Sequence, residues 1–119
     1  MDIANLDRAT AFTTADGSTI RELFGPACVV AANQSLAEAM LPPGGATQRH
    51  YHRLAEEIYY ITHGSARMEI DGEERTVAAG DAILIPAGAW HQITATSQEP
   101  LRLLCSCAPA YAHEDTYFV

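Results

Sequence analysis

The sequence predicts an all-β sandwich or barrel. Three observations carry the prediction. Eight or nine short runs are rich in β-branched, aromatic or alternating residues, turn signals recur every eight to twelve residues, and no stretch of ten or more residues has a helical period. At 119 residues the chain is close to the commonest size for a single hydrophobic core. There are no internal repeats, low-complexity segments or linkers, so one compact unit is expected.

The elements follow in order. Residues 1–27 are irregular in pattern, with a turn at Asp16-Gly17 and a break at Gly25-Pro26. Cys28–Ala32 and Ser35–Leu41 read as strands, the second weakened by Ala37 and Ala39. Pro42-Pro43-Gly44-Gly45 ends that segment, because proline cannot donate into a ladder. Gln48–His52 is short and extended. After the polar turn Arg53–Glu56, the run Ile58-Tyr59-Tyr60-Ile61 has strong β propensity. Past Gly64, Ala66, Met68 and Ile70 alternate with Arg67, Glu69 and Asp71, the period of a half-buried strand. Asp71-Gly72 signals a hairpin that returns through Glu74–Ala78. Ala82–Ile85, the loop around Pro86 and Gly88, His91–Ala95 and Leu101–Cys107 complete the series. The division expected is an N-terminal segment, 1–27, able to supply a dimer-contact strand, and a barrel domain, 28–119.

Fifteen acidic residues against seven basic ones give a net charge of −8. Such a surface repels phosphate backbones, so nucleic acid is not an expected partner. The apolar runs are far shorter than the ~18 residues of a membrane span. The first thirty residues lack a basic start followed by an apolar run, and the cytoplasm is the expected location. Cys105 and Cys107 lie two apart in an extended run and point to one face, poorly placed to bond to each other. They read as small buried residues in a reducing compartment, or as a thiol lining a pocket.

His50 and His52 flank one residue on a strand, which places both imidazoles on the same side, about 6.6 Å apart at Cα. Glu57 opens the next strand, and a hairpin there folds its carboxylate back beside them. Glu56 is the alternative, but alternation with Tyr59 and Ile61 favours Glu57. His91 comes from a separate segment, placed by the Pro86–Trp90 loop. Three imidazoles and one carboxylate suit one divalent transition metal ion: Fe, Mn, Zn, Ni or Co.

The same residues resemble the cupins. Their first motif is present as Gly44, His50, His52, Glu57 and Gly64, in the stretch GGATQRHYHRLAEEIYYITHG. Their second is present as Gly80, Pro86, Gly88 and His91, in GDAILIPAGAWHQITA. Fifteen residues separate Gly64 from Gly80, the short spacer of small microbial cupins. The resemblance implies a double-stranded β-helix, or jelly-roll barrel, with the metal on His50, His52, Glu57 and His91. One position departs: Ala95 stands where the family carries Asn, a residue that is not a metal ligand.

Around the metal, alternation places Tyr59 and Ile61 on the face of Glu57, and Gln48 beside the two histidines. Tyr59 reads either as a barrel tyrosine bonded to backbone or as an acid or base toward a bound substrate. Gln48, Met68 and Ile61 read as pocket lining. Trp90 is expected to point away from the metal, and His63 to be a surface group. Tyr111 and His113, in an ending dense in proton-binding groups, read as a cap over the barrel mouth or as surface tail.

A divalent ion with one carboxylate leaves a site charge of about +1 and open coordination positions, suited to a bidentate, anionic or enolisable oxygen ligand. The resemblance implies three alternatives. The first is a Lewis-acid isomerase, cyclase or lyase acting on a small oxygen-rich or enolisable molecule. The second is an Fe(II) dioxygenase, and the third a non-catalytic small-molecule-binding protein. A sensor module usually comes with a DNA-binding domain, which this sequence lacks, so the enzyme readings lead. Exposed strand edges in such small barrels are covered by pairing, and a homodimer is expected.

Overall fold

The computed structural model describes all 119 residues. Eleven strands follow in order: β1 (Ala11–Thr13), β2 (Thr19–Phe24), β3 (Ser35–Leu41), β4 (His50–His52), β5 (Glu56–His63), β6 (Ser65–Ile70), β7 (Glu73–Ala78), β8 (Ala82–Ile85), β9 (His91–Ala95), β10 (Leu101–Ala108) and β11 (Thr116–Phe118). They form two antiparallel sheets, one of six strands in the order β1-β2-β3-β10-β5-β8 and one of five in the order β11-β4-β9-β6-β7. Two facing sheets of this kind are one of the all-β forms that the turn spacing predicts, and the jelly-roll barrel that the resemblance implies. No helix is long and apolar enough to cross a membrane.

The core lies between the sheets. On β5, Glu57, Tyr59 and Ile61 are buried while Glu56, Ile58 and Tyr60 are exposed, which is the period-two pattern of the sequence. Across from them, β10 presents Leu103, Cys105 and Cys107 in register with Ile61, Tyr59 and Glu57. The five-stranded sheet contributes Ala66, Met68, Ile93 and Ala95 to the same cluster. Ala95, at the position of the family's Asn, is therefore core. Asp71 (φ 48) and Gly72 (φ 89) make the tight turn joining β6 to β7, as the Asp-Gly pair predicts. Gly64 (φ 85) closes β5 onto β6, and a Cβ there would lie 2.9 Å from Ser97 Oγ and 3.2 Å from the Pro100 carbonyl. Only glycine fits that corner.

Three segments depart from the sequence reading. Cys28–Ala32 is not a strand: it is bent, irregular chain after a turn at Pro26-Ala27, and the Val29 carbonyl accepts from Gly25 N–H. Val29 and Val30 are exposed, so their β propensity finds no neighbouring strand to satisfy it. The strand lies earlier. Residues 11–24 form a hairpin whose β2 pairs with β3, Thr19 opposite Met40 and Glu22 opposite Ala37. Arg21 and Glu22 hide it in the sequence, because Arg21 is neutralised by Glu38 across the pair. The tail is also ordered: β11 pairs with β4, placing Thr116 opposite His52 and Phe118 opposite His50.

Candidate metal centre

β4 presents His50 and His52 inward, and β9 pairs with it so that His91 sits directly opposite His50. The three rings converge, with centroids 4.3 Å apart for His50 and His91, 5.0 Å for His50 and His52, and 5.6 Å for His52 and His91. One nitrogen from each lies within 4.8 Å of the others, a group able to hold a metal ion.

Their tautomers follow from their partners. His50 Nδ1 lies 2.7 Å from the Gln48 carbonyl, and His91 Nδ1 lies 2.9 Å from the Ala89 carbonyl. A carbonyl only accepts, so both Nδ1 atoms carry the proton. His52 Nδ1 lies 3.1 Å from Thr116 Oγ1, whose own proton goes to the Ala112 carbonyl at 3.0 Å, so this Nδ1 donates as well. All three Nε2 atoms are thereby left as lone pairs, and the ring orientations are held from behind, as metal-binding imidazoles require.

Glu57 Oε1 faces two of those lone pairs, 3.3 Å from His52 Nε2 and 3.5 Å from His91 Nε2. Both Glu57 Oε1 and His91 Nε2 are buried without any hydrogen-bond partner. Acceptors aimed at one another in a dry interior repel unless a cation or a proton sits between them. The donor set and its orphaned atoms fit a divalent metal ion. The other carboxylate oxygen is engaged elsewhere: the buried Cys107 thiol donates to Oε2 at 3.2 Å. Burial raises that thiol, and the Glu57 charge raises it further, so it keeps the proton it donates.

The surrounding chain fixes these four side chains. Gly88 N–H donates to the His52 carbonyl at 2.7 Å, tying the Pro86–Trp90 loop to β4. Asp71 holds the other end: Trp90 N–H donates to Asp71 Oδ1 and Asp71 N–H to the Trp90 carbonyl, each at 2.9 Å. Buried Asp115 accepts from the N–H groups of Leu54 and Ala55, at 2.9 and 3.1 Å, and so shapes the turn between His52 and Glu57.

The other sequence-predicted residues divide. Tyr59 is buried and lines the same cavity as His50, His52 and Glu57, its ring 6.1 Å from that of His91. Tyr111 is half-buried, edge-on to His52 at 5.9 Å. His113 is exposed on a short 3-10 turn and His63 is exposed at the end of β5. Gln48 is exposed and lies outside the cavity lining; its backbone carbonyl, not its amide, serves the site. Strand alternation begins only at His50, so it does not carry Gln48 inward. Ile61 is fully buried core that does not reach the cavity. Met68 lines a separate cleft of about 370 Å³ between the β6–β7 hairpin and β8. Trp90 packs on Tyr51 at 4.7 Å with the Arg49 guanidinium 5.3 Å from its ring, away from the histidines. The sequence reading did not single out Asp16, Ser18, Asp115 or Thr116; for the first two, the turn at Asp16-Gly17 was the available signal.

The pH dependence of the metal-free protein follows from Glu57. With a proton, in place of an ion, between Oε1 and the facing rings, burial pushes the Glu57 carboxyl up, but hydrogen bonding and charge from His52 and His91 outweigh this and lower it to about 2. A folded-state value below the unfolded one gives stability that is present above the ordinary value and lost as pH falls through the folded one. Metal-stripped protein is expected to lose about 3 kcal/mol between roughly pH 5 and pH 2 from this group. Acid unfolding compared with Glu57→Gln measures it; identical curves would show that the carboxylate contributes nothing.

Comparison with known proteins places this geometry. The family described as cupin domain matches residues 37–107. An uncharacterised protein, MJ1618 of Methanocaldococcus jannaschii, is 44% identical over 110 residues, 92% of this chain and 88% of that protein. Polyketide synthase CurC of Streptomyces cyaneus is 28% identical, over 84% of this chain and 68% of its own length. Among solved structures, the nucleoside dehydratase Pac13 of Streptomyces superposes with a TM-score of 0.80 at 16% identity, covering 98% of this chain and 88% of that one.

Proposed function

This chain belongs to the cupin domain family, and from that premise we propose that it is a metal-dependent enzyme acting on a small, oxygen-bearing or enolisable molecule by isomerase, cyclase or lyase chemistry. The observation that carries the proposal is the pair of buried, unpartnered atoms, Glu57 Oε1 and His91 Nε2, inside a ring of outward-anchored imidazoles. A divalent ion bound there supplies Lewis acidity to an oxygen of the bound molecule.

The chain's own residues do the rest. His50, His52, His91 and Glu57 hold the ion, and their outer partners keep the four donors from rotating away. Ile93, Leu101 and Leu103 exclude water from the cavity and strengthen every charge interaction inside it. Burial raises Tyr59 well above an ordinary phenol, and the charge of Glu57 raises it further, so it holds its proton at neutral pH. Tyr59 is thus a proton donor to the bound molecule, not a base. Polyketides are oxygen-rich and enolisable, so the likeness to CurC supports the same class.

Elemental analysis of protein purified without oxygen or chelator tests this reading. One zinc, nickel, cobalt or manganese per chain is expected, with deuterium uptake from D2O into an enolisable substrate. Stoichiometric iron with O2 consumption would replace the reading by a dioxygenase. Occupancy below about a tenth of an atom per chain after reconstitution would refute a metal enzyme. We also take β1 as the contact strand of a homodimer, since it ends the six-stranded sheet with an uncovered edge.

A further inference from the structure

The loop between β1 and β2 brings a second carboxylate to the metal cavity. Asp16 lines the same space as His50, His52, Glu57 and Tyr59. Its Oδ1 accepts from Thr14 Oγ1 at 2.6 Å, Ser18 Oγ at 2.6 Å and Ser18 N–H at 2.9 Å. Gly17, at φ 93, turns the chain back, and Gln48 N–H donates to the Asp16 carbonyl at 2.7 Å. The loop is therefore locked to the segment leading into the ligand strand. The carboxylate is built into place, and its charge is felt at the buried His50 and Tyr59 side chains and at the partly buried Cys105. No protein donor reaches its Oδ2.

The charge inside the cavity then decides what enters. A divalent ion brings +2, and Glu57 and Asp16 each bring −1, while the imidazoles bind as neutral rings. Tyr59 and Cys105 are held neutral by burial, with nearby carboxylate charge adding to the effect. No positive side chain offsets the two carboxylates. All seven basic residues are arginines. Arg21 and Arg102 face Glu38, Arg49 pairs with Glu69, Arg67 with Glu74 and Arg75 with Glu73. Arg8 and Arg53 are exposed, and none of the seven lines the cavity. A carboxylate or phosphate entering would leave the buried site net negative with no guanidinium to pair it, the arrangement that burial penalises most. A hydroxyl or carbonyl ligand keeps it neutral and finds an acceptor in Oδ2.

We propose that Asp16 makes this cavity selective for uncharged, hydroxyl- or carbonyl-bearing ligands over carboxylates and phosphates. The proposal rests on reading the histidine cluster as a metal centre. The cavity measures about 50 Å³. That is room for about three or four waters, so the reacting end of the ligand is only a few non-hydrogen atoms across.

Oxalate and oxamide, equal in size and different in charge, serve as probes. Metal-stripped protein is loaded with Co(II), and each probe is titrated against the visible absorption of the bound ion. Asp16→Asn keeps the Oδ1 acceptor and removes the charge. The ratio of oxalate to oxamide affinity is expected to rise about tenfold or more in that variant, with Co(II) stoichiometry unchanged. An unchanged ratio overturns the proposal. If Asp16→Asn loses Co(II) stoichiometry, Asp16→Ser makes the same comparison, and the same two results decide it. Failure of Co(II) to bind the unmodified protein would overturn the metal-centre reading, and this proposal with it.

Discussion

Glu57→Ala is expected to empty the metal centre. Glu57 is the one anion among the four donors, and its Oε1 has no other partner than the space between His52 and His91. Removing it leaves three neutral rings, and the attraction that offsets the cost of dehydrating a divalent ion is lost. Loss of a partner behind a ligand costs roughly 10–100-fold in metal affinity, so loss of the ligand itself is expected to exceed about a hundredfold. Two measurements check it. Elemental analysis at limiting metal should find the variant nearly empty where the unmodified protein is filled. Thermal unfolding should show the matching loss of linkage, since metal at about 100 times its Kd stabilises a folded protein by about 2.7 kcal/mol. Glu57→Gln separates shape from charge. Normal occupancy in Glu57→Ala would remove Glu57 from the ligand set.

The parts of this site that were legible in the sequence are those governed by short-range periodicity. Two residues apart on a strand means one face, so His50 with His52, and Glu57 with Tyr59 and Ile61, follow from spacing alone. The Asp71-Gly72 turn follows from the positive φ that both of its residues adopt. Alternation fails where the strand does, which is why Gln48, two residues before β4, turned out exposed. What long-range pairing decides was not legible. Thr116 reaches His52 only because β11 folds back across 64 residues, and Asp115 caps a turn 60 residues away. Nothing local to Thr116 or Asp115 announces such a partner. Asp16 was visible as a turn residue, but its place at the cavity depends on β2 of the β1–β2 hairpin pairing with β3, and the strand signal of β2 is masked by Arg21 and Glu22. Cys107 stood as a small buried residue or a pocket thiol, and its pairing register with Glu57 makes it a buried thiol, outside the cavity lining, whose S–H donates to Oε2.

Tyr59→Phe is expected to leave the metal in place and abolish turnover. The ring lies on β5 between Glu57 and Ile61, buried and 6.1 Å from the His91 ring at an interplanar angle of 75°. Phenylalanine keeps that ring and its packing, so the metal site and the fold are spared, with a stability change below about 1.5 kcal/mol. What it removes is the cavity-lining phenol that burial holds protonated. Loss of a positioned proton donor costs roughly 10²–10⁴-fold in rate. The substrate for this assay comes from screening uncharged hydroxy-ketones and enolisable diketones for deuterium uptake from D2O. With it, kcat should collapse while metal stoichiometry and the melting temperature hold. Thr116→Val acts from behind His52 and would lower metal occupancy together with rate, so the two variants separate a proton donor from a residue that positions a ligand. Unchanged turnover in Tyr59→Phe would make Tyr59 a packing residue and shift the search for the donor to Tyr111, the other tyrosine beside the histidines.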